Sequence, residues 1–335
     1  MDWSRGYTAK TYISIVDRNS WLDVSTRDIV SGSIQRSTGD LRQSASLTCV
    51  DYRVEGEEWV RIWLQAKQGQ DSERVALFTG LATTPGRNLE GYFETNSLQC
   101  YSVLKPAQDI LLPPGWYAPV GADGVALAKE LLSVTPAPVV STEGSALLQE
   151  AIIAENNESN LTMALAIIDA IDWVIKIDGM GVVTIAPADD STVAIFDAMS
   201  NDIVEPKVTI DFDWFSCPNV FRATTSDGLV AIARDDSEDS SLSIQNRGRE
   251  VWAEETNVNL STDITLGEYA INRLKDLQMV STQISYERRF LPGVDVGDRV
   301  AISYPSHNID GVFYITSQTI ELGYGARTSE EAFQV

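Results

Sequence analysis

Hydrophobic and polar positions alternate through the first third of the chain. Val60, Ile62, Leu64 and Ala66 interleave with Trp59, Arg61, Trp63 and Gln65, the period of two of a strand with a buried face. Tyr12, Ser14 and Val16 alternate with Ile13 and Ile15, and Ser46–Val54 carries Leu47, Cys49 and Val50. Val75, Leu77, Thr79 and Leu81 predict another strand, closed by the turn signal Thr84-Pro85-Gly86, and the stretch from Tyr92 to Leu104 adds Phe93, Leu98, Cys100 and Val103. About five or six short strands separated by turn signals predict an antiparallel barrel or sandwich. Trp59 and Trp63 fall opposite the aliphatic set. That predicts a second buried face, with a protein interface as the alternative.

The period changes after Gln108. Leu111-Leu112-Pro113-Pro114-Gly115 breaks the β pattern, and Val125, Ala128, Leu131 and Leu132 recur at helical spacing. Ser145–Glu155 predicts a second helix with Leu147, Leu148, Ile152 and Ile153 on one face. Asn160 is placed to cap a third, Leu161–Ile171. That helix runs into Trp173–Ile177, the turn Asp178-Gly179-Met180-Gly181 and the strand Val182–Ala186, a hairpin in which Gly179 and Gly181 can take positive φ.

From Ser191 the β pattern returns. Val208, Ile210 and Phe212 alternate with Thr209, Asp211 and Asp213, and Asn219–Thr225 and Leu229–Arg234 flank the hairpin signal Ser226-Asp227-Gly228. Thr265 with Glu268 has capping-box spacing. Two stripes suit the helix that follows: Tyr269, Leu274 and Leu277, or Ile271, Leu274 and Gln278. Strands are expected at Gln283–Phe290, Arg299–Tyr304 and Val312–Leu322. The chain thus divides into a first β-barrel domain (1–108), an α+β domain with helices and a hairpin (109–190) and a second β-barrel domain with one helix (191–335). The fold class is mainly β, two antiparallel barrels flanking a small α+β domain. No residue-level repeat links the first and third parts.

Composition narrows the function. The 335 residues carry a net charge of −23 with a single His, which argues against a basic face for nucleic acid or an anionic membrane and against catalysis by two imidazoles. MDWSRGYTAK is not expected to act as a signal peptide. The apolar stretch Leu161–Ile171 is too short to cross a bilayer of about 30 Å and is broken by Asp169. Cys49, Cys100 and Cys217 have no CxxC spacing and read as buried thiols in a reducing cytoplasm, a Cys49–Cys100 bridge being left open.

Candidate chemistry is sparse. His307, in Ser306-His307-Asn308, reads as a solvated loop residue, and zinc would need more N and S ligands. Asp235-Asp236-Ser237-Glu238-Asp239 does not match a calcium loop and reads as a solvated connection, as does Asp189-Asp190. No pair of acids stands out as a glycosidase dyad. No GxGxxG, GxxxxGK[ST] or GxSxG pattern occurs, and Gly121-Ala122-Asp123-Gly124 reads as an ordinary helix start. Trp173, Trp214, Phe212, Phe215 and Tyr286 are expected in cores, with a sugar-stacking row as the alternative. No catalytic, cofactor-binding or metal-binding residue is nominated.

Two stretches carry a resemblance. The helix GEYAINRLKDLQ (Gly267–Gln278), the strand Ser281–Phe290, the loop Leu291-Pro292-Gly293-Val294-Asp295-Val296-Gly297-Asp298-Arg299-Val300 and Gly311-Val312-Phe313-Tyr314-Ile315 form one layout. The helix at Leu161 entering Trp173–Pro187 forms the other. Both resemble phage tail hub proteins, the central baseplate or tail-tip proteins of phages and phage-tail-like particles. The Pro292-Gly293 and Gly297-Asp298 pairs stand further apart than in the usual form.

The resemblance implies a non-enzymatic homotrimer. Each chain supplies two tail-tube-like barrels, and the ring joins a hexameric tail tube or distal tail protein to a central spike or tip protein. It further implies contact with a tape-measure protein, residence in the virion tail after assembly in the bacterial cytoplasm, and DNA met only as passing cargo, which acidic walls would not hold. No membrane insertion by this chain is expected, and cell-wall digestion is expected to belong to another protein. The competing readings are a receptor- or glycan-binding tail accessory using Trp59 and Trp63, and a carboxylate-based hydrolase.

Overall fold

Up to Ser102 the chain is all strand: β1 (Thr8–Val16), β2 (Asp23–Ser37), β3 (Gln43–Val50), β4 (Glu58–Gln68), β5 (Asp71–Glu90) and β6 (Phe93–Ser102). The computed structural model describes residues 1–50, 52–90, 93–197, 204–212, 215–225, 228–256, 258, 265–279, 282–307, 309–323 and 326–335. The six strands pair antiparallel in the order β1-β4-β5-β6-β3-β2, and β2 pairs back onto β1, with Tyr12 opposite Asp28. The inward half of the alternation, including Ile13, Ile34, Leu47, Ile62, Leu64 and Leu98, forms one buried core. Thr84-Pro85-Gly86 does not end β5. The strand runs on to Glu90, and its register with β6 slips between Thr83 and Gly86. A proline has no N–H to give the ladder, and a bulge is where a sheet tolerates one.

The middle of the chain gives α1 (Lys105–Asp109), β7 (Tyr117–Ala118), α2 (Gly124–Leu132), β8 (Val139–Ser141), β9 (Ile152–Ile153), α3 (Asn160–Ala170), β10 (Trp173–Ile177) and β11 (Val183–Pro187). Asp123 caps α2 by accepting from the N–H groups of Val125 and Ala126. The cap of α3 is Ser159 rather than Asn160: its Oγ accepts from Thr162, while Asn160 donates from its amide to the Leu131 carbonyl.

The helix expected at Ser145–Glu155 is absent. The segment instead runs antiparallel to residues 110–123, with Ala118 opposite Ile152, Gly121 donating to Leu148 and Leu111 bridged to Ser159. Ala146, Leu148, Ile152 and Ala154 turn to the core. An apolar run this short fits either period, and the partner segment decides.

The last third gives β12 (Thr192–Asp197), β13 (Val204–Phe212), β14 (Val220–Thr224), β15 (Val230–Arg234), α4 (Ile244–Arg247), β16 (Trp252–Thr256), α5 (Leu266–Met279), β17 (Thr282–Arg289), β18 (Arg299–Tyr304), a 3-10 turn at Pro305–His307, β19 (Ile309–Leu322) and β20 (Arg327–Gln334). Six strands pair in the order β13-β17-β20-β19-β18-β12, antiparallel except for β12 with β18. Phe196, Tyr286, Ile302, Phe313 and Ile315 fill their core. Between β13 and β17 sits a separate sheet, β15-β14-β16, covered on one side by α5 through Phe221, Ala223, Ala270 and Leu274.

The capping box forms as read: Thr265 Oγ1 accepts from the Glu268 N–H, and Glu268 accepts from the Thr265 N–H. Of the two stripes, the one through Tyr269 and Leu277 is used, and Ile271 is exposed. Trp214, the Ser226-Asp227 part of the hairpin turn, Tyr92, Asp213, Ser281 and Asn308 lie outside the described residues.

The two large sheets are continuous. The first half of β2 pairs with β1, and its second half, Gly32–Ser37, pairs with Leu322–Ser317 of β19.

Candidate functional site

The charged residues that matter most stand at inward positions of strands. Arg288 follows Ile284 and Tyr286 in phase on β17, and Glu330 lies between Thr328 and Ala332 on β20. Both are buried and joined by two bonds, Nε to Oε2 at 2.8 Å and Nη2 to Oε1 at 2.6 Å. Burial alone would lower the Arg288 guanidinium, but the Glu330 carboxylate outweighs it and the pKa is raised.

Gln318 on β19 extends the network. Its amide donates to Glu330 at 2.6 Å and to the Val294 carbonyl, and its oxygen accepts from Arg36 of β2 at 3.0 Å. Arg36 also pairs with Asp295 at 2.9 Å and donates to the Leu77 carbonyl of β5. A chain of bonds thus links β17, β20, β19, the 291–298 loop, β2 and β5.

The α+β unit is held from two sides. Lys176 of β10 reaches Asp298 at 2.9 Å, and Asp298 also accepts from the Asp295 N–H. The tip of the β10–β11 hairpin presses on β5. Thr79 donates to the Gly179 carbonyl at 2.8 Å, and Trp21 and Arg61 both donate to the Met180 carbonyl. A Cβ on Gly179 would stand 1.9 Å from the Ala76 carbonyl oxygen, whereas Gly181 is the one with positive φ, at 79°. Gly179 is therefore needed for close approach, not for its dihedral angle.

Arg61 is buried on the second face of β4 and pairs with Asp23 at 2.6 Å; burial lowers its pKa against the pull of that carboxylate. Trp63 donates to the same Asp23, under the Arg74 guanidinium at 3.6 Å from its ring. Trp59 packs on Trp21, both half-buried against the core of the α+β unit. The second buried face predicted from Trp59 and Trp63 is therefore present, and the glycan reading loses its two nominated residues. Between β2, β10 and the 291–298 loop lies a cavity of about 250 Å³, lined by Arg36, Arg42, Lys176, Asp298, Arg299 and Tyr314.

The remaining candidates are scattered. His307 is exposed in the 3-10 turn, edge-on to Tyr304. Asp235 is held by Ser237, Ser240 and Gln278, while Asp236, Glu238 and Asp239 are exposed. Asp189 caps Ser191, which lowers its pKa, and Asp190 pairs with Arg299. Cys49, Cys100 and Cys217 are buried thiols outside any disulfide, and burial raises the first two to about 11 and about 12. Tyr286 is in the core and Trp173 packs against that of the α+β unit. Phe215 is 83% exposed, with Arg249 over its ring.

Among the described residues, no group of three or more His, Cys, Asp or Glu could hold a metal ion, and no helix is long and apolar enough to cross a membrane. Arg36, Arg288, Asp295, Asp298 and Glu330 were not nominated from sequence. The signal available was a charge standing in the buried phase of a strand.

No protein-family model and no curated protein matches the chain. Solved structures do. A tail protein from Neisseria meningitidis MC58 is 16% identical with a TM-score of 0.70, covering 97% of each chain. The 43 kDa tail protein of prophage MuSo2 from Shewanella oneidensis is 12% identical with a TM-score of 0.70, covering 97% of this chain and 98% of that one. The chain has the phage tail-protein fold. The resemblance read from the residues is borne out at that level. A Francisella PdpA–VgrG complex shares the tail-protein fold more distantly, at 9% identity and a TM-score of 0.57, over 98% of this chain and 53% of that one. In this chain a charged seam of Arg36, Gln318, Arg288 and Glu330 adds side-chain bonds to the backbone pairing of β2 with β19.

Proposed function

We propose that this chain is a structural hub of a phage tail or phage-tail-like particle. Three copies form a ring in which each supplies two tail-tube-like barrels, matching a hexameric tube on one side and a central spike or tip on the other. The observation that carries this reading is likeness to two tail proteins along nearly their whole length. The paired circuit of β1 to β6 and the second six-strand sheet fused to it support two barrel units per chain. The VgrG-containing neighbour supports a spike-side partner.

The role is mechanical, not enzymatic. The buried charges Arg36, Arg61, Arg288 and Glu330 are held by ion pairs and by polar groups of the chain itself. The hub resides in the virion tail, is assembled in the bacterial cytoplasm, touches the tape-measure protein and lets DNA pass. Light scattering coupled to size exclusion tests it, with the chain alone and with its tube protein. A trimer in either condition is expected, and a monomer in both overturns the reading.

A further inference from the structure

Residues 110–123 and 147–160 make an irregular two-stranded ribbon along the α+β unit, from Asn160 donating to Ile110 through Tyr117 opposite Ile153 to Asp123 bridged to Leu147. Its inner side, with Trp116, Ala118, Leu148 and Ile152, lies on the core. Its outer side is apolar too: Leu111, Tyr117, Val120, Leu147 and Ile153 are all more than half exposed, Ile153 at 73%. A ribbon apolar on both sides buries only one of them here. Tyr117 and Ile153 stand directly opposite each other on it, and exposed apolar side chains rimmed by polar ones mark a contact site.

Charge selects the occupant. The ribbon carries Asp123, Glu150, Glu155 and Glu158 and no Lys or Arg, and between Asp109 and Asp172 the single basic residue is Lys129. The same ribbon of a second copy would bring the same four acids. Like charges oppose such a contact, whereas a cationic amphipathic segment satisfies both features. We propose that this ribbon docks a segment of a partner protein that combines Lys or Arg with apolar side chains. The proposal is independent of the trimer, whose own test is a mass.

The test uses the full chain and a fluorescein-labelled Leu/Lys peptide, read by anisotropy, with a Leu/Glu peptide for comparison. Ile153→Ser and Leu147→Ser, both surface changes, are each expected to weaken Leu/Lys binding about tenfold. Glu150→Gln with Glu155→Gln is expected to weaken it and flatten its salt dependence. The Leu/Glu peptide is expected not to bind. Two controls stay unchanged: Ile232→Ser on the β14–β16 sheet, and Asp236→Asn with Asp239→Asn. Equal losses in the controls, or no loss in the ribbon variants, overturn the proposal. So does a drop in oligomeric mass on Ile153→Ser, which would make the ribbon a contact between copies.

Discussion

Glu330→Leu strands a charge. Arg288 and Glu330 have side chains 0% exposed, and the guanidinium lies 5.5 Å from the Phe196 ring. With Glu330 gone, among the described residues it keeps its hydrogen bond to the carbonyl of Arg289, at 2.9 Å. Breaking a buried pair from one side costs about 3–5 kcal/mol, because the remaining charge is left desolvated. Arg288→Met with Glu330→Leu removes both charges. Replacing a whole buried pair by apolar side chains is often neutral or stabilising. Gln318 loses one acceptor in that variant but keeps the Val294 carbonyl, a debit of about 1 kcal/mol.

The double variant is therefore expected within about 1 kcal/mol of the parent, and since each single breaks the pair from one side, the coupling in the cycle at about 5 kcal/mol or more. Urea unfolding of the parent, both singles and the double, followed by tryptophan fluorescence with slopes compared, reads these values. If Glu330→Leu cost less than about 1 kcal/mol, the pair would be behaving as a surface salt bridge. Additive singles would equally refute the reasoning.

Gly179→Ala pushes a methyl into the Ala76 carbonyl and is expected to cost about 1–3 kcal/mol; Gly86→Ala, with open space around it, should stay within about 0.5 kcal/mol in the same melts. Tyr7 donates to the Phe290 carbonyl, and burial pushes its hydroxyl from 10 up to about 12. The folded state therefore holds this proton more tightly, so the stability it contributes is whole below pH 10 and is lost as pH rises through about 12. Wild-type stability should fall relative to Tyr7→Phe across that window, and a constant difference would refute the assignment. Thr265→Ala removes the α5 cap at about 1 kcal/mol, and hydrogen exchange should quicken first at the α5 N-terminus.

Strands with one clean apolar face were legible, because Val60, Ile62 and Leu64 fix their period over several turns of alternation. The α5 cap was legible as a Thr with a Glu three residues on, ahead of a helical stripe, whereas the α3 cap falls on Ser159, one residue before the Asn160 that was read. The helix at 145–155 was misread because its partner, residues 110–123, lies far away in sequence. Gly179 was rightly singled out but for the wrong cause, since a close approach to Ala76 leaves no local mark. The charged seam depended on the same kind of distant pairing. Arg288 stands out only once its neighbours in phase are known to be buried, and Glu330 is its partner only in the folded sheet.

The double allegiance of β2 has a mechanical consequence. Gly32–Ser37 is a strand of both large sheets at once, so a pull transmitted from one to the other runs along antiparallel backbone bonds loaded together in shear. Such a joint gives way all at once rather than peeling bond by bond, which makes the chain stiff under traction along that strand. It also means that exchange of one sheet between related proteins must carry its matching half of the shared pair, or leave β2 with a bare edge.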